Sequence, residues 1–313
     1  MKKKFMYTID FLIIFALSTY VLLDAFIIPR AYGTVSDNDV ASTTETTTDT
    51  NDNVIESEKE ETNIIQSSIT QTISTDTDYD DGEIKIHLES YRYEDTTVYV
   101  ADVQLASIDS LKSVFAQNTY GKNITATTSD MADDSDAILA INGDYYGSRN
   151  SGYVLRNGTI YRSIASNNQE DLVIDSDGNF SIIQENEVAL EDIENALQVY
   201  SFGPALLIDG EIAVTEDEEV GKAMASNPRT AICQIDTLHY LFVVSDGRTS
   251  ESEGLSLREL AEFLTQFDVQ TAYNLDGGGS STMVFNGQII NNPTTSGRST
   301  KERSVSDAII IQQ

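Results

Sequence analysis

Short apolar runs separated by turn residues make up most of the chain from residue 84 onward. Residues 84–88 alternate between apolar and polar side chains, residues 97–105 are rich in β-branched types, and residues 136–141 form a nearly continuous apolar run. Alternation is typical of a strand with one buried face, and short apolar runs are typical of strands inside a sheet. The pattern therefore predicts a β-rich fold over residues 84–313.

Pairs of these runs flank short turn sequences, which predicts a series of β-hairpins. Asn-Gly and Asp-Gly favour the tight loops that match the twist of two antiparallel strands. The predicted turns lie at Asn157-Gly158, residues 176–179, Asp209-Gly210, Asp236-Thr237 and Asn286-Gly287. The last apolar run, residues 308–311, predicts a strand that closes the chain.

Helical spacing of apolar residues is confined to a few segments. Ser256 and Glu259 have the spacing of a capping box, and apolar residues follow at helical intervals, which predicts a helix to about Phe267. Residues 108–115 and 193–197 predict two shorter helices. We therefore predict an α+β domain with a β-rich mixed sheet, several hairpins and few helices.

The first 32 residues have a different pattern. Lys2–Lys4 precede an apolar run over residues 11–28 that is interrupted at Asp24. Such a run is just long enough to span a bilayer, and a Lys-rich end stays in the cytoplasm. We predict that residues 1–32 are a single-pass membrane anchor with a cytoplasmic N-terminus, with a cleaved signal peptide as the alternative. Both interpretations place the remainder outside the cytoplasm.

Residues 33–83 are rich in Thr, Ser and acidic side chains and contain one basic residue, Lys59. A segment with few apolar residues and high charge cannot offset the entropy lost on folding. We predict a disordered acidic linker that extends by self-repulsion and holds the domain over residues 84–313 away from the membrane.

The charge and composition of the chain exclude some classes of function. The 313 residues contain 19 Lys and Arg against 51 Asp and Glu, a formal net charge of −32. A nucleic-acid binder needs a basic surface, so we predict no nucleic-acid partner. The single cysteine excludes an internal disulfide, and its apolar neighbours predict a buried Cys233. The chain has two histidines, His87 and His239, which are few for a histidine metal site, and we expect His239 to be structural.

Polar clusters stand at the ends of several predicted strands. The four main clusters cover residues 142–146, 227–230, 245–248 and 274–282, and a weaker one covers 291–293 together with Arg298 and Arg303. Asp-Gly and Asn-Gly pairs in such positions are also ordinary turn formers. The run Gly277–Gly279 stands out because consecutive glycines between buried strands are entropically costly. Their N–H groups, with the hydroxyls of Ser280 and Ser281, predict an anion-binding loop that lacks the lysine and spacing of a P-loop.

The string Asn274–Thr282 resembles the signature of the phosphodiester glycosidase family. Further matching pieces follow the family's order over about residues 100–311, namely Ala140–Tyr146, Phe202–Ala205, Asn227–Thr230, Ser245–Arg248, and Asn292-Pro293 with Arg303. The resemblance implies a hydrolase of sugar-1-phosphodiesters of the N-acetylglucosamine-1-phosphate type. Placement outside the cytoplasm suggests a cell-surface or exopolysaccharide-related glycan as its substrate.

Cleavage of such a diester at the anomeric carbon expels a phosphate and requires two kinds of side chain. A carboxylate must serve the sugar side, and cationic groups must stabilise the phosphate. The candidate nucleophiles or bases are Asp276, Asp144 and Asp246. The candidate phosphate ligands are Arg229, Arg248 and Arg303, with the N–H groups of Gly277, Gly278 and Gly279 and the hydroxyls of Ser280 and Ser281. The candidate sugar contacts are Asn142, Asn274 and Tyr146, the last by ring stacking.

Other interpretations stay open at this level. We predict no required cofactor, although Asp144, Asp246 and Asp276 have the oxygen atoms that Ca²⁺ or Mg²⁺ prefers. A non-catalytic binder of anionic wall or capsule polymers would use the same arginines and glycine loop. A surface adhesion protein would leave residues 144, 229, 248 and 276 apart in the folded chain.

Overall fold

A computed structural model describes residues 2–34, 72–214 and 226–313 of the chain. Most of the predicted acidic linker, residues 35–71, lies outside these described residues. The described α-helices are α1 Lys2–Phe26, α2 Thr128–Asp134 and α3 Leu257–Leu264. The described strands are β1 Arg30–Thr34, β2 Ile73–Ser74, β3 Asp78–Asp80, β4 Ile84–Tyr93, β5 Thr96–Leu105, β6 Leu111–Phe115, β7 Thr119–Lys122, β8 Leu139–Asn142, β9 Val154–Arg156, β10 Thr159–Arg162, β11 Glu170–Asp175, β12 Phe180–Gln184, β13 Ala196–Tyr200, β14 Ala205–Ile208, β15 Glu211–Ile212, β16 Arg229–Asp236, β17 His239–Ser245, β18 Thr271–Asn274, β19 Met283–Phe285, β20 Gln288–Ile289 and β21 Asp307–Ile311.

The strands form three larger sheets and one separate pair. The nine-stranded sheet has the order β15-β14-β18-β16-β17-β5-β4-β3-β2, the two five-stranded sheets have the orders β20-β19-β8-β21-β6 and β10-β9-β13-β11-β12, and β1 pairs with β7. All of these pairings are antiparallel. The main core cluster takes residues from all three sheets, among them Ile141, Tyr200 and Tyr273. The predicted α+β class, rich in strands and poor in helices, is confirmed.

The five predicted turns each join a hairpin. They connect β9 to β10, β11 to β12, β14 to β15, β16 to β17, and β19 to β20. Asn157 and Gly158 both have positive φ, as a tight hairpin loop requires. The sequence analysis missed the hairpin between β4 and β5, whose turn residues Glu94 and Asp95 adopt positive φ without a glycine.

The capping-box helix is confirmed, and the two shorter helix predictions are wrong. In α3 the main-chain N–H of Ser256 donates to Glu259 (2.7 Å) and the Ser256 hydroxyl accepts from the Glu259 N–H (3.1 Å). A 3₁₀ turn at Thr265–Phe267 carries the helix to its predicted end. Residues 111–115 and 196–200 instead form β6 and β13. A short isolated helix is only marginally stable, whereas a strand in a sheet is stabilised by pairing with its neighbours.

The folded domain begins before residue 84. Strands β2 and β3 extend the nine-stranded sheet with residues 73–80. Strand β1 pairs with β7, and the ring of Tyr32 lies 5.8 Å from that of Tyr120. Gly121 permits this pairing, because a Cβ built there would stand 2.1 Å from the carbonyl oxygen of Arg30. Described strands thus flank residues 35–71 on both sides, and the predicted linker stays a prediction over those residues.

Residues 2–26 form the helix α1. In the part of the chain that the structure describes, no helix combines the length and apolar content needed to cross a membrane.

Candidate active site

The ends of β8 and β18 lie beside a cavity of about 390 Å³. Its lining comes from the loop after each of these strands, from the segment after β7, from the segment before β21 and from the N-terminal segment. The lining residues are Ile27, Asn123, Thr125, Asp144, Tyr145, Ser148, Asp276, Ser280, Arg303, Ser304, Val305 and Ser306. Residues from both ends of the polypeptide therefore meet at one cleft.

Asn142 ties three of the predicted motifs together at this cleft. Its Nδ2 donates to the main-chain carbonyl of Asp276 (2.7 Å), and its Oδ1 accepts from the hydroxyl of Thr230 (2.8 Å) and the N–H of Thr282 (3.2 Å). The amide is fully buried. These bonds occupy the Asn142 side chain in positioning the Asp276 loop, which favours a positioning role over the predicted contact with a sugar.

Asp276 is the accessible carboxylate of the cavity. Its Oδ2 accepts a hydrogen bond from the Ser280 hydroxyl (2.5 Å) and from Nη2 of Arg303 (3.0 Å), and its side chain remains 12% exposed. Burial raises the pKa of Asp276 above its ordinary value, while Ser280 and then Arg303 oppose the rise. A carboxylate whose pKa is raised is a stronger base and nucleophile than an exposed aspartate.

Asp144 contributes to the cavity wall, but its oxygens are occupied. Oδ1 accepts from the N–H of Tyr146 (2.8 Å), and Oδ2 accepts from Nη2 of Arg156 (2.8 Å) and the N–H of Ser201 (3.1 Å). The side chain has no exposed surface. This geometry favours a positioning role for Asp144 over the predicted role of nucleophile or base.

Arg156 is a buried cation that the sequence analysis missed. Its guanidinium donates to Oδ2 of Asp144 and of Asp307 (2.8 and 2.9 Å) and lies 4.2 Å from the centre of the Tyr200 ring. Burial and then the charge of Asp144 raise the pKa of Asp307, and Arg156 opposes this rise. A charged residue at the end of the apolar run 153–156 is the one sequence signal that pointed to it.

The three predicted phosphate ligands are placed differently. Arg303 lines the cavity, and Arg248 lies against the glycine loop, where its Nη1 donates to the carbonyl of Thr295 (2.7 Å). Burial and then the charge of Arg303 lower the pKa of Arg248, so the two guanidiniums repel each other. Arg229 is buried, donates through Nε to the Leu255 carbonyl (2.7 Å), and lies outside the cavity lining.

The glycine loop is built for close packing. The Gly278 N–H donates to the carbonyl of Pro228 (2.8 Å), so it is not free for an anion. Gly278 has φ +65°, and a Cβ there would stand 2.8 Å from Nη2 of Arg248. A Cβ on Gly279 would stand 2.5 Å from the hydroxyl of Thr295. The open nest predicted for Gly277–Gly279 is therefore not formed at Gly278, and of the two serines only Ser280 reaches the cavity, since Ser281 is buried outside its lining.

Three further predicted site residues are buried in other roles. Asp246 accepts from the N–H (2.7 Å) and Nδ2 (3.0 Å) of Asn292 and so holds that loop. Asn274 donates to the carbonyl of Gly203 (2.7 Å). The ring of Tyr146 is 1% exposed and stacks on Tyr120, with 5.4 Å between centroids. None of the three lines the cavity.

The three aspartates do not assemble an oxygen-ligand set for Ca²⁺ or Mg²⁺. Asp144 is occupied by N–H donors and Asp246 by Asn292. Over residues 2–34, 72–214 and 226–313, no group of three or more His, Cys, Asp or Glu side chains is placed to bind a metal ion.

The meeting of residues that are distant in sequence at one cavity argues against the interpretation as an adhesion protein. Asp144, Asp276 and Arg303 share one cavity, and Arg248 lies against Gly278 in the adjoining loop. An unrelated set of turn residues would not bring an accessible carboxylate and two guanidiniums together. The N–H donors and close-packed glycines beneath them fix their positions.

Sequence comparison finds relatives that share one name. The chain is 31% identical over 186 residues to N-acetylglucosamine-1-phosphodiester alpha-N-acetylglucosaminidase of Mus musculus, covering 54% of this chain and 36% of the relative. It is 32% identical over 186 residues to the Homo sapiens protein of the same name, covering 54% and 36%. The alignments thus span about a third of the length of these relatives.

A solved structure shares the fold. The catalytic domain of the zebrafish N-acetylglucosamine-1-phosphodiester alpha-N-acetylglucosaminidase, described as auto-inhibited by its pro-peptide, superposes with a TM-score of 0.59 at 21% identity, covering 74% of this chain and 83% of that one. The family profile described as phosphodiester glycosidase matches residues 135–312. That match covers more than half of the chain and includes Asp144, Asp276 and Arg303, and the chain belongs to the phosphodiester glycosidase family.

Proposed function

We propose that the domain hydrolyses a glycosyl phosphodiester, releasing a free sugar and a phosphate monoester. The observation that carries the proposal is the pairing of the Asp276 carboxylate with the Arg303 guanidinium in one cavity (3.0 Å). A sugar-1-phosphodiester presents an electrophilic carbon next to an anion, and this pair matches both features. Relatives named as phosphodiester glycosidases support the same reaction class.

Asp276 serves the sugar side of the reaction. Its carboxylate either attacks the anomeric carbon or takes a proton from the water that does so. The bond between that carbon and the phosphate oxygen breaks, and the electron pair leaves with the phosphate. Only the ionised carboxylate is active, so turnover should fall as the pH drops through the raised pKa of Asp276.

Arg303 and Arg248 serve the phosphate side. Arg303 bonds to Asp276 and Ser280 through Nη2 and Nε, and its guanidinium also faces the cavity. The lowered pKa of Arg248, caused in part by the charge of Arg303, means that the two cations stand close enough to repel. A phosphate bound beside them would relieve this repulsion and accept bidentate hydrogen bonds.

The substrate class within this proposal is an N-acetylglucosamine-1-phosphodiester of a cell-surface or exopolysaccharide-related glycan. The sugar is inferred from the names of the mouse and human relatives. Placement outside the cytoplasm is inferred from Lys2–Lys4 and the apolar residues that follow, whether they act as an anchor or as a signal peptide. Protease added to intact cells that produce the chain should degrade the domain, and full protection would contradict this placement.

The test compares the full chain with its Asp276→Asn variant on the methyl diester of N-acetylglucosamine-1-phosphate. We expect the variant to lose at least about a thousandfold in kcat, because the carboxylate supplies the attacking or proton-accepting group. Asp177→Asn, at an exposed hairpin turn, is the matched control. Equal turnover by Asp276→Asn would overturn the assignment. A wild type that binds the diester without turning it over would favour the non-catalytic binder.

A further inference from the structure

Two adjacent tyrosines beside Asp144 have opposite environments. The Tyr146 side chain is buried at 1% exposure, whereas Tyr145 is 43% exposed and lines the cavity. No other aromatic side chain among the described residues belongs to that lining. Tyr145 therefore supplies the one aromatic surface at the site of the proposed reaction.

The backbone holds Tyr145 in this outward position. The Asp144 carboxylate accepts from the N–H of Tyr146 (2.8 Å), which fixes the turn directly after Tyr145. The Tyr145 carbonyl accepts from the N–H of Ser148 (3.3 Å) and opens a 3₁₀ turn over Tyr146–Ser148. Tyr146 packs inward against Phe115 and Tyr120 (5.3 and 5.4 Å between centroids), so Tyr145 is left facing the cleft.

The surroundings of Tyr145 suit a sugar. A pyranose ring has hydroxyls at its edge and C–H groups on its faces, so a sugar site combines polar groups with one aromatic face. The cavity lining provides the hydroxyls of Thr125, Ser148 and Ser306, and Tyr145 follows the wall residue Asp144 directly in the chain. A single exposed tyrosine elsewhere on a surface would need no such explanation. This one lies in the cleft, on a turn fixed by the bond from the Ser148 N–H to its own carbonyl and by the bond from the Tyr146 N–H to the Asp144 carboxylate.

We propose that Tyr145 is a specificity-determining residue whose ring stacks on the face of the sugar and holds its anomeric carbon near Asp276. This rests on the proposed function, since it assigns the sugar subsite of the same cavity. The stacking role that the sequence predicts for Tyr146 belongs to its neighbour.

The first experiment measures binding of free N-acetylglucosamine to the full chain by calorimetry. Stacking of a sugar on one aromatic ring strengthens binding several-fold, so Tyr145→Ala should weaken the binding of N-acetylglucosamine about fivefold or more. Tyr145→Phe keeps the ring and should stay within about twofold of wild type. Ile160→Ala removes a similarly exposed apolar side chain (45%) away from the cavity and should change nothing.

Inorganic phosphate separates stacking from a general loss of the site. Tyr145→Ala should leave phosphate affinity unchanged, because the phosphate is assigned to Arg303 and Arg248. Equal sugar affinity in wild type and Tyr145→Ala would overturn the inference, and so would parallel losses for sugar and phosphate, which indicate a distorted site.

Turnover of the methyl diester distinguishes this inference from the proposed function. Tyr145→Ala should lower kcat/KM about fivefold or more while Tyr145→Phe retains it. A wild type that turns over the diester but does not respond to Tyr145→Ala would sink the inference alone. A wild type that binds the sugar through Tyr145 but releases none from the diester would sink the proposed reaction alone.

Discussion

Substitution of Asp171 tests whether a buried carboxyl keeps its proton in the folded protein. Its side chain is fully buried. Burial, and then the neighbouring carboxyl of Glu185, raise the pKa of Asp171 to about 10. Glu185 in turn accepts from the hydroxyl of Ser201 (2.8 Å), whose N–H supports Asp144. The folded protein therefore keeps a proton on Asp171 at pH values where the unfolded chain has released it.

The sign of the pH dependence follows from this difference. The unfolded carboxyl titrates near about 4, so the stability present below that pH is lost as the pH rises towards the folded pKa. Over this window, each pH unit removes about 1.4 kcal/mol from the free energy of unfolding. Asn in place of Asp171 keeps a donor towards Glu185 and has no proton to lose. Between pH 6 and 8 the variant should gain up to about 2.7 kcal/mol relative to wild type.

Urea denaturation of both proteins at pH 5, 6, 7 and 8 measures this difference directly. Titrating groups that do not interact with Asp171 contribute equally to both proteins and cancel in the comparison. Asp177→Asn, which changes an exposed aspartate at the turn of the same β11–β12 hairpin, should run parallel to wild type. Parallel pH dependences for wild type and Asp171→Asn would refute the reasoning, because they would mean that Asp171 is ionised in the folded state.

Two further substitutions test how the site is held. Arg156→Met leaves Asp144 and Asp307 buried without their cation, so the free energy of unfolding in urea should fall by about 3–5 kcal/mol, and adding Asp307→Asn should restore part of the loss. An unchanged stability would contradict the buried ion pairs. Gly278→Ala should cost more than Gly287→Ala in the same assay: both glycines have positive φ, but only at Gly278 does the new Cβ meet Arg248 (2.8 Å). Equal losses would mean that Arg248 moves away freely.

The parts of the fold that local chemistry encodes were predictable. The turn at Asn157-Gly158 and the cap at Ser256 depend on residues within a few positions of each other, so their signals survive in the sequence. Residues 108–115 are different, because β6 forms through pairing with β21, almost two hundred residues later. Their strand character depends on a partner that no local pattern identifies.

The candidate site likewise has parts that the sequence predicts and parts that it does not. The motifs around Asp276 and Arg303 are recognisable because their residue types carry the chemistry. Sequence could not separate Tyr145 from Tyr146, since the choice depends on an aromatic cluster with Tyr120 that forms only in the fold. Arg156 was missed because its partner Asp307 lies 151 positions away. Sequence also could not show that the Asn142 amide is buried and donates to the main-chain carbonyl of Asp276, 134 positions away.

The strands on either side of the predicted acidic linker both pair with strands of the folded domain. Strand β1 ends at Thr34 on the edge of β7, and β2 begins at Ile73 on the nine-stranded sheet, so both ends of the linker are held on one domain. A connection closed in this way cannot separate the domain from its own N-terminal strand, whatever its length or charge. Ile27 lines the cavity, and the carbonyl of Ile28 accepts from Nδ2 of Asn123 (3.1 Å). The chain at Ile27 and Ile28 therefore lies against the cavity that contains Asp276.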